Sequence, residues 1–128
     1  MDRFTGGCLC GAVRFVATGS PDRVGLCHCL DCRKHHGPLF HASAVFPRES
    51  VSVDGETHDY EGRYFCPRCG SSVFSRSADE TEVHPGSLDA PDRLAPTYEL
   101  WTVRRESWLP PFPQTNRYDR DATDCFED

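Results

Sequence analysis

Hydrophobic and polar positions alternate along this chain in short runs. From Ala12 to Ala17, Val13 and Phe15 fall on one side and Arg14 on the other, the two-residue period of a half-buried strand. Leu39 to Phe46, Ser50 to Val53 and Val73 to Ser75 carry the β-branched and aromatic residues that suit a pleated surface, and further strands are expected there. In Tyr98 to Val103, Tyr98, Leu100 and Thr102 oppose Glu99, Trp101 and Val103, so a strand is expected as far as Val103. Leu30 to His36 alone reads as a helical turn. Turn residues break the runs at Gly19 to Asp22, Asp54 with Gly55, Glu61 with Gly62, Ala78 to Thr81 and Asp89 to Asp92. The expected fold class is all-β, mainly antiparallel sheets, with at most one or two short helical turns and no internal repeat.

The 128 residues are most simply one domain, and the pattern places it over residues 1–110. Beyond it, Pro110, Pro111 and Pro113 lack the amide donor that a sheet interior needs, so residues 111–128 are expected to run as an extended acidic C-terminal tail. Trp101 and Trp108 are expected to pack in the core or at its rim. The net charge of −6, with Asp119, Asp121, Asp124, Glu127 and Asp128 near the end, repels phosphate backbones and argues against nucleic acid as a partner. No apolar run has the length of a membrane span or of an export signal after Met1, so the expected location is the cytoplasm.

Cysteine usage changes the picture most. All eight cysteines except Cys125 fall into three clusters: Cys8 and Cys10; Cys27, Cys29 and Cys32; Cys66 and Cys69. In a reducing compartment such spacing reads as metal ligation rather than a disulfide framework. Cys66-Pro67-Arg68-Cys69-Gly70 is a zinc knuckle, a tight turn that brings two thiolates together and aims amides at the sulfurs. Two thiolates do not complete a structural site, and Cys8 with Cys10, flanked by Gly6, Gly7 and Gly11, supplies the other pair. Cys27, Cys29 and Cys32 occupy three corners of a second tetrahedron. His35, His36, His41 or Cys125 would close that site, whereas water or a substrate would leave it open. An open centre carrying three thiolates has a formal charge of −1 and suits a substrate thiolate better than water activation. His28 is expected to point away from the metal. Arg33, Lys34, His35 and His36 form either a solvated face or a cationic rim for a substrate carboxylate, and His84 is expected to be structural. Cys125 is taken as a free thiol.

The stretches Gly6-Gly7-Cys8-Leu9-Cys10-Gly11-Ala12-Val13-Arg14-Phe15, Cys27-His28-Cys29-Leu30-Asp31-Cys32-Arg33-Lys34 with Gly37, and Phe65-Cys66-Pro67-Arg68-Cys69-Gly70-Ser71 resemble the glutathione-dependent formaldehyde-activating enzyme family, also called the GFA or CENP-V domain. Gly86-Ser87-Leu88-Asp89 and the Trp101 to Trp108 segment are similar to its later landmarks, while Glu99 stands where its members often carry histidine. The resemblance implies a zinc-stabilised Mss4-like fold with two zinc ions per chain. It puts a structural zinc on Cys8, Cys10, Cys66 and Cys69 and a second, catalytic one on Cys27, Cys29 and Cys32. The implied activity is a carbon-sulfur lyase of the S-(hydroxymethyl)glutathione synthase type, with a small-molecule thiol and a small carbonyl compound such as formaldehyde as partners. Two other readings stand beside it: a zinc-stabilised Mss4-like binding module without catalysis, and a redox or metal-handling protein.

Overall fold

A computed structural model describes residues 2–121. In chain order its elements are β1 (Arg3–Gly7), β2 (Arg14–Thr18), β3 (Arg23–Cys27), the helix α1 (Leu30–His36), β4 (His41–Pro47), β5 (Val51–Asp54), β6 (His58–Tyr60), β7 (Arg63–Phe65), β8 (Ser72–Arg76), β9 (Glu80–Val83), β10 (Tyr98–Leu100) and β11 (Asn116–Arg117). Short 3-10 turns lie at Arg48–Ser50, Pro85–Ser87 and Thr102–Arg104. The fold is therefore all-β with one short helix, and among the described residues no helix is long and apolar enough to cross a membrane. Two compact units are distinguished: one runs to Arg23 and resumes over Ser43–Leu94, and the other comprises Val24–Ala42 and the chain from Ala95 onward.

The first unit is built of antiparallel ladders. β1 pairs with β2, and β2 with β5, in a register that sets Phe4 opposite Ala17 and Phe15 opposite Val53. A second ladder joins β4 to β9, β9 to β8, β8 to β7 and β7 to β6. The inward positions are apolar: Phe4, Val13, Phe15, Phe46, Val73, Phe74 and Val83 are all buried, and Phe4 meets Phe46 edge-on at 5.9 Å. Burying each of these side chains contributes about 1.5–3 kcal/mol. The β7–β8 register shifts between Tyr64 and Phe65, so an irregularity of the bulge kind re-aims the chain just before Cys66.

The second unit is built of parallel pairs. β10 aligns Tyr98 with Gly25 and Leu100 with Cys27 of β3, and Glu99 with Arg117 of β11. Tyr98 and Leu100 are buried, and Cys27, Trp101 and Tyr118 pack against them. Gly25 makes the pairing fit, because a Cβ there would stand 2.1 Å from the Tyr98 ring.

Some expectations are corrected. The strand from Tyr98 ends at Leu100 rather than Val103, because Trp101 takes a left-handed conformation (φ 56°) and the chain enters a 3-10 turn. The Trp101 indole donates to Asp121 Oδ1 at 2.8 Å, and the Arg120 guanidinium lies 5.7 Å from the ring. Trp108 is 68% exposed and packs in no core. The segment expected to turn from Ala78 to Thr81 becomes β9 from Glu80 onward. After the prolines the chain is held in place: Asn116 N donates to Thr97 O at 2.9 Å, Trp101 N to Arg120 O at 3.2 Å, and Thr115 is buried. Cys125 and the acidic Asp124, Glu127 and Asp128 lie outside the described residues.

Candidate metal centres

Four of the clustered cysteines meet between two similar turns. After β1 the chain folds back so that Cys8 N donates to Val13 O at 3.0 Å and Gly11 N to Cys8 O at 3.2 Å. Between β7 and β8, Cys66 N donates to Ser71 O at 3.0 Å and Gly70 N to Cys66 O at 2.8 Å, with Gly70 in the left-handed region (φ 79°) that favours glycine. In each turn amides point at sulfur: Val13 N donates to Cys8 Sγ at 3.2 Å, and Arg68 N and Cys69 N to Cys66 Sγ at 3.3 and 3.4 Å. Leu9 N donates to Ser71 Oγ at 3.0 Å and ties the turns together. The Sγ atoms of Cys8, Cys10, Cys66 and Cys69 all lie within 4.8 Å of one another.

These distances fit zinc. A tetrahedral ion with sulfur ligands at about 2.3 Å has sulfur–sulfur edges of about 3.8 Å, and Cys8–Cys10 and Cys10–Cys66 stand at 3.6 and 3.8 Å. They are far longer than a disulfide bond of about 2.05 Å. The cluster favours thiolate at two corners: the Ser71 hydroxyl, with amides behind it, holds Cys69 down at about 5, and although burial raises Cys8, the Val13 amide and the Cys10 and Cys66 thiols lower it overall.

The second cluster sits where β3 leads into α1. Cys29 is the N-cap of the helix, and its sulfur accepts from Cys32 N at 3.3 Å, in the role that serine or aspartate oxygens usually fill. Asp31 in the first turn and Arg33, Lys34, His35 and His36 in the last suit the helix dipole, and Gly37 (φ 102°) ends the helix. Cys27, Cys29 and Cys32 thus have their sulfurs within 4.8 Å of one another, each half-buried. No fourth histidine, cysteine or carboxylate of the described residues joins them. Of the candidates for that corner, His36 stacks on His41 at 3.6 Å and meets His35 edge-on at 4.9 Å, and Cys125 lies outside the described residues.

The triad's protons are unevenly held. The contact with Cys32 lowers Cys27 to about 7. Burial raises Cys29, and the hydrogen bond to Cys27 raises Cys32 strongly. Three thiolates so close repel one another, so all three ionise together only around a cation.

A comparison with protein families aligns residues 3–104 with the model of the glutathione-dependent formaldehyde-activating enzyme. The chain belongs to that family. The matched span contains both cysteine clusters and Glu99, and stops before Thr115 and Arg117. Among curated relatives, an uncharacterized lyase of Schizosaccharomyces pombe is 29% identical over 79 residues, 58% of each chain. Proteins provisionally named glutathione-dependent formaldehyde-activating enzymes, in Aspergillus flavus and Aspergillus oryzae, are each 33% identical over 86 residues, 57% of this chain and 45% of theirs. The chain thus spans about half the length of the curated relatives it matches. A crystal structure of a Rhodobacter sphaeroides protein shares the fold, with a TM-score of 0.55, 19% identity and coverage of 70% of this chain and 91% of that one.

Sequence reasoning singled out Glu99 only as a departure from the histidine its relatives often carry, and missed its burial and its partners. Glu99 is fully buried, with all of β10 covered on both faces. It lies 2.9 Å from His28 Nε2 and accepts from Thr115 Oγ1 at 2.5 Å, Phe112 N at 3.1 Å and an Arg105 Nη at 3.3 Å. The signals in the sequence were an acidic residue between Tyr98 and Leu100 and its standing where the resembling family often has histidine. Elsewhere, Arg33 is engaged by Glu106 at 3.1 Å, and Lys34, two residues after Cys32, is exposed. His84 is buried, with Ser72 Oγ and Ser75 Oγ each 3.3 Å from a ring nitrogen.

Proposed function

We propose that this chain holds zinc at both cysteine clusters and that the triad is a reaction centre for thiol addition to a small carbonyl compound. The observation that carries this reading is the gathered but incomplete donor set: three sulfurs within 4.8 Å and no fourth ligand among the described residues. Cys8, Cys10, Cys66 and Cys69 would fill all four corners of a structural site. Cys27, Cys29 and Cys32 would hold the second ion from three corners and leave one to an incoming thiol. When bound there, zinc supplies a soft cation that keeps a thiol as thiolate, its nucleophilic form.

Family membership and the relatives' names support glutathione and formaldehyde as the pair. The thiol sulfur adds to the carbonyl carbon, one C–S bond forms, and the C=O π pair moves to oxygen, which takes up a proton. The product is S-(hydroxymethyl)glutathione, the reverse step is a carbon-sulfur lyase reaction, and no oxidant enters. Lys34 provides positive charge for the carboxylates of such a thiol. Ligands that must stay reduced suit a cytoplasmic setting.

Cobalt(II) in place of zinc reports the ligands through its visible absorption. Titrating the cobalt-loaded chain anaerobically with glutathione is expected to shift the bands assigned to the triad. The same titration of Cys29→Ser should leave the remaining bands unmoved. An unchanged spectrum of the native chain at millimolar glutathione would refute the reading.

A further inference from the structure

Behind the triad lies a carboxylate that the chemistry above does not use. His28 separates Cys27 from Cys29 in sequence, is fully buried, and presents Nε2 to Glu99 Oε1 at 2.9 Å. Its Nδ1 has no hydrogen-bond partner among the described residues, so the contact with Glu99 is what fixes the ring by hydrogen bonding. Phe40 packs on the imidazole at 5.6 Å and Phe112 on Phe40 at 5.6 Å, which keeps water from the pair.

The strand that brings Glu99 also holds the cysteine segment by its backbone. Leu100 registers with Cys27, and His28 N donates to Leu100 O at 3.0 Å. Glu99 in turn is pinned from the other side by Thr115, Phe112 N and Arg105, with Arg117 Nε at 3.8 Å. Burial raises its proton affinity, but the bonds from Thr115, His28, Phe112 and Arg105 outweigh burial and keep it ionised. His28 Nε2 therefore carries the proton between them. A buried charge costs stability that an apolar pair of similar volume would not, unless its surroundings are fully arranged to meet it. Here the chain from Arg105 to Arg117 is so arranged, around a carboxylate one residue removed from the metal-ligating segment.

We infer that Glu99 is a positioning residue for the triad: by fixing the His28 ring it sets the spacing of the Cys27 and Cys29 sulfurs on either side. This rests on the reading of the triad as a metal centre. Groups outside the ligand shell that orient it are worth about 10–100-fold in metal affinity.

The test is the cobalt(II) affinity of each cluster in the full chain, read from thiolate-to-cobalt absorption in competition with a chelator, for native protein and Glu99→Gln. The carboxamide keeps the volume but turns an NH2 toward donors that now face oxygen. The expected result is affinity at the triad weakened by about 10–100-fold, with the Cys8–Cys10–Cys66–Cys69 cluster unchanged. A variant with native affinity at the triad, or with equal loss at both clusters, overturns the assignment. Should Glu99→Gln fail to fold, Thr115→Val removes the hydroxyl that holds Oε2, and the same two outcomes are read from it, with a smaller loss expected. A native chain that takes up one cobalt rather than two overturns the metal reading itself; two in the native chain with unchanged affinity in the variants overturns only the role of Glu99.

Discussion

At the scale of single residues, the grouping of the cysteines was legible because the spacing that suits metal ligands is a local pattern. Cys66-Pro67-Arg68-Cys69-Gly70 folds into its turn with amides on sulfur, and its pairing with Cys8 and Cys10 followed from the need for four ligands. The partners of Glu99 were not legible, since Phe112 and Thr115 come from a segment whose prolines suggested an extended tail. The ionisation of Glu99 gives a pH prediction. The folded state holds Glu99 below the ordinary value of about 4.3. A lowered folded-state value favours the ionised form on folding, so the stability is fully present above that ordinary value and is lost as pH falls through the folded-state value. Melting temperature followed from about pH 6 to pH 3 should fall more steeply in the native chain than in Glu99→Gln, across the ordinary carboxylate range. Parallel curves would contradict this.

At the scale of elements, α1 appeared where the sequence placed it, from Leu30 to His36, because its cap, charges and terminal glycine are all local. The strand core around Phe15 was legible from alternation, and those around Phe46, Val51 and Phe74 from β-branched and aromatic residues, for the same reason. β1, β3, β6 and β7 were not, being short or glycine-containing, and β3 in addition pairs with β10 far along the chain. Trp101 broke the alternating pattern it seemed to continue, by turning left-handed at the strand end. Gly25 shows how a weak strand signal hides a packing requirement. Its missing side chain leaves room for the buried Tyr98 ring, and Gly25→Ala would put a Cβ 2.1 Å from it. The expected cost is about 1–3 kcal/mol, as for other overpacked cores, measured by the urea midpoint. A midpoint within error of native would show that the ring moves aside freely.

At the scale of the whole molecule, the proposed reading gives the seven clustered cysteines two unequal purposes. Structural zinc contributes on the order of 10–16 kcal/mol of apparent binding free energy in small peptides, comparable to the roughly 5–15 kcal/mol that holds a typical domain folded. On that reading, a chain of 128 residues whose first unit brings two distant turns together at Cys8, Cys10, Cys66 and Cys69 would depend on a zinc there for its fold. Cys27, Cys29 and Cys32 gather at a capped helix start, and on the same reading a zinc there would not be required for the fold. Zinc per chain, measured together with far-ultraviolet circular dichroism for native protein, Cys29→Ser and Cys69→Ser, separates the two roles. The account predicts two zinc ions in the native chain, one in a folded Cys29→Ser, and loss of the fold in Cys69→Ser. One zinc in the native chain, or two in Cys29→Ser, would contradict it.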